Sequence, residues 1–247
     1  MPTTSSVSGR APPDLAPAVR ARLGELVARH GAPGGADACL ARLLELLAAD
    51  PHAPTAVRDP ARAVESHIAD SLAGLELAAV RAARTLADVG SGAGFPGLPL
   101  ACSLPHARIA LVESAGRKAS YLTRTARALG RDNVEVVARR AEQWREGRGS
   151  QDAVLARALA PLGVILEYAA PLLRDGGVAV AWKGRRDPDE ERAGGRAAEA
   201  LGFDGGQVIP VAGPAGAQAR YLHLYLKVRP TPERFPRRAG MAAKRPL

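Results

Sequence analysis

The sequence predicts an α/β fold, a doubly wound sheet of seven strands with a helical extension at its N-terminal end. Two observations carry this prediction. From Thr85 onward, short apolar runs alternate with helical segments, the pattern of a parallel sheet covered by helices on both faces. Before Thr85, apolar residues recur at helical spacing. The length of 247 residues suits one large domain with an attachment, and 47% hydrophobic and 24% charged residues exclude a disordered or fibrous chain.

The N-terminal extension is predicted to contain three helices. Residues 15 to 49 have leucines at helical spacing, and the segment from Gly31 to Gly35 divides them into two helices. A proline-rich joint from Pro51 to Pro60 precedes the third helical stretch, Ala61 to Leu77, whose apolar residues follow a 3.6-residue period.

The sheet elements follow in alternation. Five buried strands are predicted at Leu86 to Val89, Ile109 to Val112, Val134 to Val137, Ala153 to Ala156 and Val178 to Trp182. Helices are predicted at Leu98 to Leu104, Arg117 to Leu129, Pro161 to Leu173 and Pro188 to Leu201. Two further strands, near Gln207 to Val211 and Tyr221 to Val228, have no long helix between them, so we expect an antiparallel hairpin at one edge.

The positive charge is concentrated near the end of the chain. The net charge is +9, and residues 227 to 247 contain seven Lys and Arg residues against Glu233 alone. A second basic excess lies between residues 101 and 150. Basic segments of this kind either contact nucleic acid or are simply solvated, and the charge pattern alone leaves both open.

Several classes of protein are not expected. No apolar run is long enough for a membrane helix and no secretion signal is recognisable, so we expect a soluble cytoplasmic protein without a membrane partner. Cys39 and Cys102 have neither a Cys-x-x-Cys nor a metal-ligand spacing, so we expect no disulfide and no metal, and interpret both as small buried hydrophobes. No exposed apolar repeat indicates an obligate partner, and we expect a monomer.

A glycine-rich loop between the first strand and the following helix is the densest motif. It reads Asp88-Val-Gly90-Ser-Gly92-Ala-Gly94-Phe95-Pro-Gly97, and such loops bring backbone amides close to a ligand. Gly92 to Gly97 also satisfies the Gly-x-Gly-x-x-Gly pattern of dinucleotide sites. The acidic residue Asp88 favours the cationic sulfonium of S-adenosylmethionine over a pyrophosphate. A glycine-rich turn without a ligand is the third possibility.

Four more candidate residues lie at the ends of other strands of the predicted sheet or just after them. Glu113 ends the second strand, where an acid can accept hydrogen bonds from ribose hydroxyls, although it could instead cap the next helix. Ala141 and Glu142 follow the third strand, on the expected adenine side, although Glu142 could pair with Arg139 or Arg145. Arg157 ends the fourth strand, at the edge where doubly wound sheets bind ligands.

The sequence lacks the residues that two kinds of methyl transfer need, which narrows the possible methyl acceptors. Methylation of an exocyclic amine typically uses Asn or Asp before Pro-Pro and an aromatic residue after the fourth strand, where this chain has Arg157-Ala-Leu-Ala-Pro161. Methylation of a pyrimidine carbon needs a cysteine nucleophile, and neither cysteine is suitably placed. A ring nitrogen with a free lone pair, such as N7 of guanine, needs positioning but no general base.

Taken together, these motifs resemble the bacterial small-subunit ribosomal RNA guanine-N7 methyltransferases, the glucose-inhibited division protein B family. The resemblance runs from about Ala36 to Leu247. It includes Glu65 to Leu72, the Asp88 to Leu100 loop, Arg139 to Glu142, Ala156 to Ala158, Trp182 to Gly184, Arg229 to Gly240 and Lys244 to Leu247. It implies a Rossmann-like, seven-stranded methyltransferase sheet with S-adenosylmethionine as cofactor, and methylation of guanine 527 in 16S RNA. The partner would be 16S ribosomal RNA or the small ribosomal subunit.

The resemblance also implies roles for individual residues. Cofactor contacts fall on Gly90, Phe95, Ala141, Glu142 and Arg157, with Glu113 where the family often has Asp. Together with the loop residues Asp88, Gly92 and Gly94 these form the expected cofactor set. Four basic residues are expected to contact RNA or to line the mouth of the active site: Arg117, Lys118, Arg140 and Lys183. Of these, Arg140 and Lys183 are the candidate active-site cations. No catalytic acid or base is expected.

Further basic residues are candidates for RNA binding. Arg117, Arg124 and Arg131 recur every seven residues and would share one helix face as a phosphate track, although ordinary solvation explains Arg124 and Arg131 equally well. Arg237 and Arg238 in the basic tail are also candidates. His67 and Asp70 lie at i and i+3, and we expect a structural hydrogen bond there rather than a catalytic dyad.

The predicted domain organisation has four parts. Residues 1–14 are expected to form a flexible tail, 15–79 a helical region packed on the core, 80–229 the methyltransferase domain and 230–247 a basic tail. The chain departs from the family pattern at Ala53-Pro54 and at Met241-Ala242. Two other functions remain open, a nicotinamide-dependent reductase that uses the same glycine loop and a ribosome-binding protein that has lost the chemistry.

Overall fold

The computed structural model describes residues 14–211 and 220–247. Except for Asp14, the expected flexible tail at residues 1–14 lies outside the described residues, and so does the connection between the last two strands. Within the described part of the chain, no helix is long and apolar enough to cross a bilayer.

Two helices that pack against each other open the N-terminal region. Helix α1 (Pro17–Arg29) and helix α2 (Ala36–Ala49) are separated by the predicted glycine segment, in which Gly31 and Gly35 have φ values of 57° and 85°. Glycine adopts these left-handed conformations without steric cost, which explains why the helices end and restart there.

The third helical stretch is less regular than its apolar period predicts. It consists of α3 (Pro60–Ala63), a π-helical turn (Val64–Ala69), α4 (Asp70–Leu72), a 3-10 turn (Ala73–Glu76) and α5 (Ala78–Ala82). The start agrees with the sequence, because Asp59 accepts a 3.0 Å hydrogen bond from the Arg62 amide and Pro60 occupies the first turn. The π turn was not predicted, and such turns often occur at functional sites.

The remainder of the chain forms the predicted alternating sheet domain. Its elements are β1 (Thr85–Val89), α6 (Gly97–Ser103), β2 (Arg108–Val112), α7 (Gly116–Ala128), β3 (Val134–Val137), a 3-10 turn (Ala141–Gln143), β4 (Gln151–Arg157), α8 (Leu162–Ala169), β5 (Leu173–Lys183), α9 (Pro188–Leu201), β6 (Gln207–Val211), β7 (Arg220–Leu226) and α10 (Met241–Lys244).

All seven strands belong to one sheet in the order β3-β2-β1-β4-β5-β7-β6. Strands β1 to β5 pair in parallel, whereas β7 runs antiparallel between β5 and β6. The predicted hairpin is confirmed, with β6 as the edge strand. The strand order reverses between β1 and β4, and ligands of doubly wound sheets bind at the carboxyl ends of the strands at this point.

The sheet separates two apolar cores. Leu86 of β1 faces a core formed with the N-terminal helices and α6, whereas its neighbours Ala87 and Val89 face a second core formed with α8 and α9. This alternation follows from the two-residue period of a strand. The N-terminal helices thus cover one face of the sheet.

The expectation that the two cysteines stay unpaired is wrong. Cys39 of α2 and Cys102 of α6 form a disulfide, with their Cα atoms 5.7 Å apart. They are 63 residues apart in sequence and meet because α2 packs on α6. No local motif marks a pair that tertiary packing creates. The expected burial of Cys102 is correct, since it is only 1% exposed.

Candidate active site

The glycine loop connects β1 to α6 and is shaped by close backbone approaches. Gly90, Gly92 and Gly94 all have positive φ values, of 72°, 57° and 93°. A Cβ atom on Gly90 would lie 2.5 Å from Leu159 Cδ1, and one on Gly94 would lie 2.3 Å from Leu98 Cδ1. The loop therefore requires glycine at these positions for conformation and for space.

Asp88 precedes the glycine loop and binds the amide of Gly97 at the end of that loop. Its Oδ2 accepts a 3.0 Å hydrogen bond from the Gly97 amide, while its Oδ1 is buried without a hydrogen-bond partner among the described residues. Burial raises the pKa of Asp88 to about 7, and the Gly97 hydrogen bond and the Arg157 charge oppose that shift. A cation above the loop would favour the ionised carboxylate.

Glu113 holds the loop from the neighbouring strand. Its Oε2 accepts a 3.1 Å hydrogen bond from the Gly92 amide and its Oε1 a 2.8 Å bond from the Ala115 amide, just before α7. Glu113 does not cap α7, whose N-cap residue is Ala115 and has no side-chain cap, but its carboxylate lines the adjoining cavity. A carboxylate oxygen can accept more than one hydrogen bond, so both oxygens can still receive hydroxyl groups.

A cavity of about 300 Å³ opens beside the loop at the carboxyl ends of β1, β2 and β3, and we call it the first cavity. It brings together four of the expected cofactor residues, Gly90, Glu113, Ala141 and Glu142. Val89, Val112, Ser114, Lys118, Arg139, Arg140, Ala158, Leu159 and Tyr168 complete its lining. The remaining expected residues do not line it: Asp88, Gly92 and Gly94 build the loop, Arg157 lines a neighbouring cavity, and Phe95 lies against Arg157.

Glu142 is not in either of the ion pairs that the sequence left open. Its Oε1 accepts a 2.8 Å hydrogen bond from the Gly240 amide, 98 residues further along the chain. Arg139 instead pairs with Glu146 at 3.4 Å, and both of those side chains are largely exposed. The segment after β3 is therefore in contact with the C-terminal part of the chain.

A second cavity, of about 500 Å³, adjoins the first. Ala158 and Leu159 line both cavities, and Ala158 has an unusual φ of 51°, which turns the chain between them. The lining also includes Ser66, His67, Asp70, Arg157, Ala160, Trp182, Lys183, Gly184 and Arg220. Left-handed conformations of non-glycine residues concentrate at functional sites, which fits the position of Ala158.

Arg157 organises the wall of the second cavity. Its Nη1 donates to Asp70 Oδ2 at 2.7 Å and to the Ser66 carbonyl at 3.0 Å, and its Nη2 lies 3.3 Å from His67 Nδ1. Its guanidinium also lies 5.4 Å from the centre of the Phe95 ring, which stacks on His67. His67 and Asp70 therefore both contact Arg157, a shared role that the sequence analysis missed.

Residues on β5 and β7 complete that wall. The Trp182 indole donates a 2.8 Å hydrogen bond to the Asp70 carbonyl, and Arg220 lies 3.6 Å from Asp70 Oδ1. Lys183 donates to the Ala160 carbonyl at 3.0 Å and to Glu190 Oε1 at 2.5 Å. The sequence motif pointed to Lys183, but no local signal marked Arg220, which only the antiparallel pairing of β7 with β5 brings here.

The predicted phosphate track on α7 is only partly present. Arg117, Lys118 and Arg124 are exposed and line a third cavity of about 670 Å³ together with His52 and Tyr121. Arg124 also pairs with Asp50 at 3.0 Å. The inclusion of Arg131 was wrong, because α7 ends at Ala128 and Arg131 donates inward to the Cys102 carbonyl at 3.0 Å.

The C-terminal segment, for which the sequence predicted only a basic composition, is packed on the protein. Arg237 donates from its Nε to Glu167 Oε1 at 2.7 Å and from its Nη2 to the Arg245 carbonyl. Because Glu167 is only 2% exposed, this guanidinium is committed to an internal ion pair, which corrects the assignment of Arg237 to RNA. Arg238 is exposed.

The fold is shared with solved methyltransferase structures. An S-adenosylmethionine-dependent O-methyltransferase from Thermotoga maritima matches with a TM-score of 0.53 and 14% identity, over 71% of this chain and 72% of that chain. A predicted O-methyltransferase from Agrobacterium tumefaciens matches with a TM-score of 0.52 and 20% identity, over 64% and 80%. The prediction of a Rossmann-like methyltransferase sheet is confirmed.

Proteins that are similar in sequence identify the family, whereas the solved structures show only the fold. A protein from Rubrobacter xylanophilus named ribosomal RNA small subunit methyltransferase G is 45% identical over 196 residues, which are 77% of this chain and 75% of that protein. One of the same name from Deinococcus radiodurans is 42% identical over 212 residues, 84% of each chain. The family profile described as rRNA small subunit methyltransferase G matches residues 41–213, and S-adenosylmethionine is the methyl donor of such methyltransferases. This chain therefore belongs to the GidB family of rRNA small subunit methyltransferases.

Proposed function

We propose that this protein transfers the methyl group of S-adenosylmethionine to N7 of guanine 527 in 16S ribosomal RNA. The observation that carries the proposal is the pair of adjoining cavities at the carboxyl edge of the sheet. One is bordered by the glycine loop and Glu113, and the other is lined by cations, with Ala158 and Leu159 between them. A methyl donor in the first cavity and a base in the second would meet at that boundary.

The glycine loop and the residues of the first cavity suit S-adenosylmethionine. Asp88 Oδ1 is a buried carboxylate oxygen without a partner among the described residues, and such an atom favours a cationic ligand nearby. Glu113 can accept from ribose hydroxyls, and the segment from Ala141 to Glu142 would border the adenine. The bound cofactor supplies an electrophilic methyl group on a positively charged sulfur.

A nicotinamide dinucleotide fits the same loop poorly. A pyrophosphate needs free amides at the loop and at the start of the helix. Here the Gly92 amide donates to Glu113 and the Gly97 amide donates to Asp88. Two carboxylates already take the amides that would bind phosphate, and their charges would repel it.

The second cavity suits a positioned base rather than acid–base chemistry. His67 has its pKa lowered, first by burial and then by the Arg157 charge, so the ring is held neutral. Lys183 is engaged by Glu190, and Arg157 by Asp70. The N7 lone pair of guanine attacks without losing a proton, so these residues need only orient the base and exclude water.

The substrate surface is basic. Arg117, Lys118, Arg140 and Arg238 are exposed, and Lys118 and Arg140 line the first cavity as well. Lys and Arg side chains of this kind bind backbone phosphates, while the target base is taken from an irregular RNA loop, because the A-form major groove is too narrow for side chains to read. We propose 16S RNA or the small subunit as partner, a monomeric enzyme and a cytoplasmic location.

The proposal is tested by labelled methyl transfer to small ribosomal subunits that lack the modification, followed by borohydride and aniline cleavage at N7-methylguanine. We expect cleavage at guanine 527 alone. Incorporation elsewhere would reject the proposed target. Cofactor binding without any incorporation would favour a ribosome-binding protein that has lost the chemistry. Parallel titrations with S-adenosylmethionine and NADH separate the methyltransferase from the reductase.

A further inference from the structure

The last part of the chain is built into the protein next to the first cavity. We call residues 235–247 the C-terminal strap. Phe235 at its start is 7% exposed and belongs to the second core, and Ala242 in α10 is 2% exposed. Just before the strap, Thr231 Oγ1 donates a 3.0 Å hydrogen bond to the Ala170 carbonyl after α8. A segment with these contacts has a fixed path despite its basic composition.

The strap is fastened by one buried ion pair. Arg237 contacts both carboxylate oxygens of Glu167 on α8, and its Nη2 also donates to the Arg245 carbonyl at 2.9 Å. The two-point geometry of a guanidinium on a carboxylate fixes direction as well as distance. Arg237 thereby connects α8 to both the start and the end of the strap.

The strap then reaches the wall of the first cavity. The Gly240 amide donates a 2.8 Å hydrogen bond to Glu142 Oε1, and Glu142 lines that cavity. Gly240 has a φ of 79°, a left-handed conformation that suits glycine at the start of α10. On α8, Tyr168 lines the same cavity and directly follows Glu167. Arg237 is therefore linked to the cavity wall through the strap and through α8.

We infer that Arg237 is a positioning residue for the cofactor, which acts through the strap by holding Glu142 at the adenine side of the first cavity. This inference rests on the proposed cofactor role of Glu142. Without the strap, the Glu142 carboxylate would be free to turn toward solvent, and its fixed orientation would have to be re-established on each binding event. The basic C-terminal segment then serves cofactor affinity in addition to any contact with RNA.

The test measures S-adenosylhomocysteine binding by calorimetry in two variants that disturb the strap differently. Arg237→Gln removes the ion pair, and a chain ending at Arg238 keeps that pair and Phe235 but lacks the Gly240 amide. We expect the dissociation constant to rise about ten-fold in both, equivalent to about 1.4 kcal/mol. Arg237→Lys should recover part of the affinity. Arg245→Gln, which removes a strap charge but keeps its carbonyl, should bind as the unaltered protein does.

Activity measurements separate positioning from general damage. With small subunits as substrate, the KM for S-adenosylmethionine should rise while kcat changes little, and thermal unfolding of the chain ending at Arg238 should remain cooperative. Unchanged cofactor affinity in that chain would overturn the inference. Glu142→Ala separates the proposed cofactor contact from the inferred role of the strap. If Glu142→Ala does not weaken cofactor binding, the proposed contact is wrong. If Glu142→Ala weakens binding and the strap variants do not, only the role of the strap is wrong.

Discussion

Arg157 Nη1 donates a 2.7 Å hydrogen bond to Asp70 Oδ2, and this bond joins the last residue of β4 to the first residue of α4. Both side chains are mostly buried, with exposed fractions of 16% for Arg157 and 7% for Asp70. The helical extension and the sheet therefore build the second cavity jointly. The extension is part of the candidate active site as well as a cover for the core.

Removal of Asp70 should damage both stability and activity. Asp70→Ala leaves the mostly buried Arg157 charge with only neutral hydrogen-bond partners, and breaking a buried pair costs about 3 kcal/mol or more. We expect this loss in urea unfolding, together with weaker methyl transfer. The control is Glu146→Ala, which removes the exposed pair with Arg139 and should change stability by less than about 0.5 kcal/mol. Equal effects of the two substitutions would contradict the structural role of Asp70.

The glycine loop gives a sharper test at Gly90. In Gly90→Val the new Cβ would lie 2.5 Å from Leu159 Cδ1, at a φ of 72° that valine rarely adopts. We expect S-adenosylmethionine affinity to fall by at least ten-fold, measured by calorimetry. Gly195→Ala in α9 is the matched control, because nothing lies within 4 Å of its Cβ position and its helical conformation is ordinary. Retained affinity in Gly90→Val would reject the loop as the cofactor site.

The sequence predicted the sheet well because each strand is marked by a local pattern in the sequence. Each buried parallel strand is a short apolar run between helices, so β1, β2 and β3 lie within one residue of their predicted starts. The π turn was missed because the apolar positions around Ile68 keep nearly helical spacing while one extra residue enters the turn.

The site was less predictable than the fold because tertiary packing assembles it. The first cavity collects residues that follow consecutive strands, which a topological argument finds. The second cavity needs His67 and Asp70 from the extension and Arg220 from an antiparallel strand, and no sequence spacing relates Arg220 to the other two. Arg237 was misassigned because charge composition indicates exposure, whereas its partner Glu167 lies within an otherwise apolar helix.

Asp88 should make stability depend on pH. Its pKa in the folded protein is about 7, above the ordinary 3.8, so the folded state holds the proton more tightly than the unfolded chain. The stabilisation that protonated Asp88 gives the folded state is fully present below about pH 4 and is lost as the pH rises through about 7. Between about pH 5 and about pH 8, the free energy of unfolding measured in urea should therefore fall less in Asp88→Asn than in the unaltered protein. The expected difference is about 2–3 kcal/mol. Identical pH profiles would show that Asp88 does not titrate in this range.

The disulfide between Cys39 and Cys102 should contribute measurably to stability. It closes a loop of 63 residues, and the entropy of that closure corresponds to at most about 4 kcal/mol. We expect a reducing agent to lower the free energy of unfolding by about 2–4 kcal/mol. The double variant Cys39→Ser, Cys102→Ser should be insensitive to the reductant. If thiol titration of the air-purified protein finds two free thiols, the pair is not formed.

Two basic residues that the sequence grouped together should behave differently. Arg117 is exposed at the start of α7, so Arg117→Ala should leave unfolding unchanged and reduce the slope of log affinity for small subunits against log salt by about 0.7 to 0.9. Arg131 donates inward to the Cys102 carbonyl, and its Nε is buried, so Arg131→Ala should lower stability by about 1–2 kcal/mol without a change in that slope. A changed slope in Arg131→Ala would restore Arg131 to the RNA surface, because an inward guanidinium cannot release counterions from phosphate.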